Sequence, residues 1–301
     1  MKSRSIRLGI ISLACLGCAG VAGSQDFGKI QVQSAKVTEG VYVLYGAGGN
    51  IGVSAGAGGV LLIDSQFSQL HERVKSAIAD LGGGSVRFIL NTNGHYDHAL
   101  GNELFAKAGA IIVAHENART RMLTEQVHDV IGAKTPPYPA TALPEVTFAD
   151  TLVLHVNGDD IQGIHVALAH SDSDAFYRFH RANVIHTGDL FFSEGYPYVD
   201  IGNGGSVHGM IAAAERILVL CDENTKIIPG HGRLSDPKRL RDYRTMLATV
   251  RDRVAAKIKD GQTLQEVVAS MPTASFDQDW TGGVGVPAAV FVTLVYRDLS
   301  R

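Results

Sequence analysis

Four apolar runs in this chain each stop at a histidine or an aspartate set in a turn, and that repetition limits the folds the chain can adopt. The run at 86–90 opens into Asn91-Thr92-Asn93-Gly94-His95-Tyr96-Asp97-His98. The run at 163–169 stops at His170, before the polar turn Ser171-Asp172-Ser173-Asp174. Asp189 ends the run at 183–188, and the run at 226–229 leads into Gly230-His231-Gly232. Short runs of this kind, rich in Val and Ile and bounded by Gly, Pro, Ser or Asp, read as buried strands. Packing alone gives no reason for a His or Asp after every strand. An α/β sheet does, because it presents its ligands at the carboxyl ends of its strands.

The rest of the pattern agrees with such a sheet. Strands are expected near 41–45, 51–54 and 59–64, separated by glycines that supply the turns. Residues 68–81 carry helical spacing, with Leu70, Val74, Ala77, Ile78 and Leu81 on one face. Helices near 99–108 and 116–124 flank a strand at 110–114. Pro136, Pro137, Pro139 and Pro144 mark 133–144 as an extended loop. Strands near 145–156, 161–169, 174–180 and 183–187 follow, then helices near 206–220, 236–258, 263–270 and 286–299. No repeat or low-complexity linker divides the chain, so residues 24–301 are read as one α/β domain of sheets covered by helices.

The first 23 residues are read separately. Lys2, Arg4 and Arg7 precede an apolar run from Leu8 to Ala22, and small residues then lead to Gln25 and Asp26. This is the order of a secretory signal peptide, and the run is too short and too rich in Gly, Ala and Ser for a membrane span. Export to the periplasm or medium is expected, with no stable membrane association after cleavage. Cys15 and Cys18 fall in this leader, leaving Cys221 without an intramolecular partner and read as core. The formal charge is −3, with 27 basic against 30 acidic residues, so no nucleic-acid partner is expected.

Imidazole and carboxylate within four residues suit a borderline metal such as zinc, with room for a water ligand. With these motifs quoted, the chain resembles the metallo-β-lactamase superfamily. That family carries a Thr-His-x-His-x-Asp-His loop, a lone His after a strand, a Gly-Asp after another, and a final Gly-His-Gly. Thr92 to His98, His170, Gly188-Asp189 and Gly230-His231-Gly232 match in that order. The resemblance implies a four-layer αββα sandwich and one or two Zn2+ ions. It implies one metal at Asp97, His98 and His231, another at Asn93, His95 and His170, and Asp189 between them. It also implies that Asp64 braces the metal loop from behind. Asn93 stands where the family has its first histidine. An amide oxygen is a poor zinc ligand, so the site of Asn93, His95 and His170 is expected to be the weaker.

The function implied is zinc-dependent hydrolysis of a small amide or ester, with Asp97, His95 and His170 as the catalytic candidates and β-lactams as the first candidate substrate. No Lys or Arg follows Asp189 closely to hold a substrate carboxylate. Lactone or ester hydrolysis is therefore the near alternative, and a degenerate metal-binding or ligand-binding periplasmic protein is the alternative from another class. His71, His128, His155, His165, His180 and His208 are read as surface or satisfied core histidines, and His186 as a donor to a carbonyl. The glycines from 46 to 59 are read as hairpin turns forming a flap over the site. Ser206 is read as a helix cap, and Tyr196 and Tyr198 as pocket walls or packed side chains.

Overall fold

The computed structural model describes residues 26–128, 130–281 and 284–301; the leader expected at 1–23 lies outside them. Two sheets stack face to face. The first runs β1 (Gln33–Thr38), β2 (Val41–Tyr45), β3 (Ile51–Gly56), β4 (Gly59–Ile63), β5 (Val86–Leu90) and β6 (Ile111–His115) in sequence order. A two-stranded ribbon, β7 (Gln126–His128) with β8 (Ala133–Thr135), stands apart, and β9 (Val146–Phe148) closes the first sheet beside β6. The second sheet is β10 (Thr151–Val156), β11 (Asp159–His165), β12 (Ala175–Phe179), β13 (Val184–His186) and β14 (Lys226–Ile228). Pairing is antiparallel from β1 to β4 and parallel from β4 through β6 to β9. In the second sheet only β13 and β14 are parallel.

Side-chain alternation explains why helices cover both outer faces. Successive residues of a strand point to opposite sides. In β4, Val60 and Leu62 pack outward against Leu70, Val74 and Ile78, while Leu61 and Ile63 face the other sheet. In β12, Tyr177 and Phe179 join that inner core, while Phe176 turns outward to meet Met210, Leu247 and Phe291. Both sheets are thus apolar on two faces, and water is kept from each outer face only by a layer of helix. The first layer holds α1 (His71–Asp80), with α2 (Tyr96–Ala99), α3 (Asn102–Lys107) and α4 (Glu116–Met122) following along that half of the chain. The opposite layer holds α5 (Val207–Val219), α6 (Pro237–Lys259), α7 (Leu264–Ala269), α8 (Asp277–Trp280) and α9 (Ala288–Leu299). The architecture is the four-layer αββα sandwich expected. None of the described helices is long and apolar enough to cross a membrane.

Two expectations need correction. The strand expected over 145–156 is two strands, because the chain leaves the first sheet after Phe148 and enters the second at Thr151. The extended loop at 133–144 contains β8, which pairs antiparallel with β7, and a turn of 3-10 helix at Ala140–Ala142. The prolines lie beyond β8, so they remove no ladder donor from the ribbon.

Candidate metal centre

The four strand ends converge where the sequence pattern requires. β5 delivers the loop of His95, Asp97 and His98; the turns after β11, β13 and β14 deliver His170, Asp189 and His231. His98 Nε2 lies 3.4 Å from His231 Nε2 and 3.1 Å from Asp189 Oδ1. His231 Nε2 is 3.2 Å from the same oxygen and 3.3 Å from Asp97 Oδ2, which is 3.9 Å from His98 Nε2. A tetrahedral ion with bonds of about 2.0–2.1 Å sets its donors roughly 3.3 Å apart. Asp97, His98 and His231 each offer a donor atom within 4.8 Å of the other two, and Asp189 Oδ1 stands close to both imidazole nitrogens.

Hydrogen bonding shows why these atoms crowd together. His98 Nδ1 donates to Asp64 Oδ2 at 2.7 Å, which turns its Nε2 toward Asp189. Asp64 also accepts from the Thr92 amide and hydroxyl, both at 2.7 Å, and so fixes the start of the metal loop. Asp189 Oδ1 is buried beside two imidazole nitrogens, yet it accepts no hydrogen bond among the described residues. A buried carboxylate oxygen facing ring nitrogens is costly unless a proton or a cation sits between them. The residues therefore fit a divalent metal held by Asp97, His98, Asp189 and His231.

Electrostatics point the same way. Burial alone would lower the His170 and His231 imidazoles, but the facing carboxylates, Asp189 foremost, raise both to about 9. The same opposition carries His98 well above its ordinary value. Burial would raise the Asp189 carboxyl, but His98, His170 and His231 hold it well below the usual carboxylate range. Asp97, buried beside His98 and His231, is held down at about 2. A metal entering this cluster takes over the charge these protons balance, and it must release them.

His95, His170 and Asp189 also come together, one donor atom of each within 4.8 Å of the other two, but Asn93 does not join them. His170 Nδ1 pairs with Asp174 at 3.0 Å and its Nε2 lies 3.5 Å from Asp189 Oδ2. Asn93 does not turn an oxygen to this group. Its Oδ1 accepts from the His95 amide at 2.9 Å, which fixes the amide's orientation, and its Nδ2 donates to Asp189 Oδ2 at 3.1 Å. His95 Nε2 pairs with Asp200 Oδ2 at 2.9 Å. Asn93 therefore holds the loop and Asp189 instead of offering a ligand atom.

A cavity of about 330 Å3 opens over the cluster, lined on one side by His95, Asp97, His170, Asp189 and His231. Tyr96, Phe192, Tyr198, His128 and the 285–287 segment complete its walls, and among the described residues no Lys or Arg lines it. His128, expected among the surface or satisfied core histidines, is buried and partnered by Asp200 in this wall, placed there by the β7–β8 ribbon. Asp200 stands in no motif; its only sequence signal is its place ahead of the glycines at 202, 204 and 205. Tyr196 is core instead of wall, stacked on Phe291 at 5.2 Å. Ser206 caps α5 as expected, accepting from the His208 amide. His186 Nε2 lies 3.1 Å from the Asn50 carbonyl, as a donor would.

The expected flap is a fixed collar. The Gly49 amide donates to the Asp97 carbonyl at 3.1 Å, and the Asn50 amide to the Gly230 carbonyl at 2.7 Å. Asn50 Nδ2 donates to the carbonyls of Pro229 and Gly232, so the turn carrying His231 is tied to β3 of the other sheet. A Cβ on Gly49 would stand 2.2 Å from the His98 ring, so only glycine lets the collar sit this close.

The sequence matches the profile of the metallo-β-lactamase superfamily over residues 44–231. No curated protein matches it by sequence. Among solved structures, a metallo-β-lactamase from Pontibacter korlensis superposes with a TM-score of 0.59 at 16% identity, covering 72% of this chain and 99% of that one. The metallo-β-lactamase DIM-1 gives 0.58 at 16% identity, covering 73% and 99%. The stereoselective inverting sec-alkylsulfatase Pisa1 from a Pseudomonas species gives 0.69 at 15% identity, covering 88% of this chain and 50% of that one. With the profile spanning well over half of its length and every strand end in place, the chain belongs to the metallo-β-lactamase superfamily.

Proposed function

We propose that this protein is an exported zinc-dependent hydrolase of a small amide or ester, with β-lactams as the first candidate substrate. The observation that carries this reading is the cluster of Asp97, His98 and His231, with the buried Asp189 carboxylate against both imidazoles, on the floor of a cavity of ligand size. When bound there, zinc supplies a Lewis acid and a water acidified to near neutrality. The chain's own residues do the rest. Asp97, His98, Asp189 and His231 would hold the ion, and Asp64 would keep His98 in the ligating tautomer. His170, oriented by Asp174 and raised to about 9, turns Nε2 toward Asp189 and carries a proton it can donate there. Tyr198 and Phe192 flank the space for an acyl group.

The absence of a cation from the cavity walls favours a second reading, hydrolysis of an uncharged lactone or ester. A β-lactam's carboxylate would have only the metal and polar groups to meet it, whereas a neutral ester needs no cation. The alkylsulfatase likeness supports the fold alone at its identity. The test is turnover of a carbapenem, a penicillin, a cephalosporin, a γ-lactone and a nitrophenyl ester, with chelator and with zinc restored. Chelator-sensitive turnover of a β-lactam supports the first reading, and turnover confined to the lactone or ester supports the second. Zinc-loaded protein inert to all five would overturn both and leave the binding-protein alternative.

A further inference from the structure

A separate cluster of metal-type donors lies beside the centre, on the side of the β7–β8 ribbon. Asp200 Oδ2 is 2.9 Å from His95 Nε2 and 3.5 Å from His128 Nδ1. One donor atom from each of the three residues lies within 4.8 Å of the other two. The Asp200 side chain is 1% exposed, and its ion-pair partners among the described residues are these two imidazoles, with no Lys or Arg. A carboxylate buried to that degree needs a countercharge. Asn203 Nδ2 donates to the same oxygen at 2.7 Å and fixes its position without supplying charge.

We propose that His95, His128 and Asp200 form a seat for a divalent transition metal, displaced toward the ribbon from the place His95 and His170 would define. Two imidazoles and a carboxylate are a ligand set for zinc, cobalt, manganese or iron, and three protein ligands leave a position open. That position faces the cavity, because His95 and His128 both line it. Asn93 explains why the metal would shift. Its amide nitrogen donates to Asp189 Oδ2, so the group of His95 and His170 has lost one imidazole and has a hydrogen-bonded carboxylate. His128 returns an imidazole from another element. The His95 ring stands between the two alternatives, 4.5 Å from the His170 centroid and 5.0 Å from that of His128. Since His95 belongs to both groups, a metal in one withdraws a ligand from the other.

The test counts cobalt(II) per chain by elemental analysis after equilibration and dialysis, with the visible ligand-field spectrum as a second readout. The expectation is two ions in the wild type, one in His128→Gln, and two in His170→Ala, which the displaced seat does not use. His128→Ala carries the same expectation as His128→Gln, and thermal melting checks that both variants fold. One ion in the wild type, two in folded His128 variants, or loss of an ion in His170→Ala would each overturn the proposal. The count does not depend on turnover, so failure of the hydrolase reading leaves this result standing.

Discussion

Replacing Asp64 by Asn changes almost nothing in size, yet it reverses the polarity of one arm of the metal loop's brace. Asp64 has φ +67°, a left-handed conformation that Asn also accepts, so the backbone is spared. One oxygen can still receive the Thr92 amide. The new NH2 would face the Thr92 hydroxyl and His98 Nδ1–H, where two short hydrogen bonds to a carboxylate now stand. Thr92 can rotate its hydroxyl to accept, but His98 must move its proton to Nε2, the atom that should bind metal. Loss of an orienting partner of this kind costs about 10- to 100-fold in metal affinity, or roughly 1.4 to 2.8 kcal/mol. The metal-free fold should lose about 1.5 to 3 kcal/mol, since a buried charge-assisted hydrogen bond is removed. Competition for zinc with a fluorescent chelator measures the first quantity and urea unfolding of the metal-free protein the second. Unchanged zinc affinity in a folded Asp64→Asn protein would refute the argument that Asp64 sets the His98 tautomer.

Three further outcomes follow from particular contacts. Burial holds His186 at about 4, so the unfolded chain binds a proton that the native chain refuses between that value and about 6.5. This contribution is whole above pH 6.5 and is lost as pH falls toward 4, by about 3 kcal/mol; His186→Gln should show a flatter stability profile than wild type in denaturant titrations across that range. A Cβ on Gly230 would sit 2.5 Å from Asp189 Oδ1, so Gly230→Ala should weaken zinc binding at least tenfold by calorimetry while leaving most secondary structure intact by circular dichroism. Asp298 accepts from both the Ser206 hydroxyl and the Val207 amide at the start of α5, so Asp298→Ala should cost about 1 to 2 kcal/mol in urea unfolding without altering zinc affinity.

Much of this molecule can be read from local pattern, and what cannot be read has physical reasons. The helices at 71–80, 207–219 and 237–259 announce themselves because apolar residues recur on one face and Ser206 and Asp236 cap the last two. The strand ends are legible because ligand-type residues are expensive to bury without a purpose. His128 was not legible: a three-residue strand has no periodicity, and only the ribbon's tertiary position brings it to His95. Asp200 likewise lies in irregular chain, and its partners are 72 and 105 residues away, counting from His128 and His95. The orientation of the Asn93 amide depends on which neighbours donate, and one-dimensional spacing does not contain that information.

The fixed collar around the centre has a consequence for how such a protein can change. On that side the backbone of residues 49 and 50 is hydrogen-bonded to the metal loop and to the turn of His231, so opening a path there would pull on the turns that carry the ligands. Entry is left to the opposite wall, made by the β7–β8 ribbon, Tyr198 and the 285–287 segment, none of which belongs to the four-donor cluster. The four-donor cluster and most of the entry wall are therefore written in different stretches of chain, and His128 is where the proposed second seat joins them. Mutation can redraw the doorway while the anchor stays in place, and drift in substrate choice should accumulate in those stretches first.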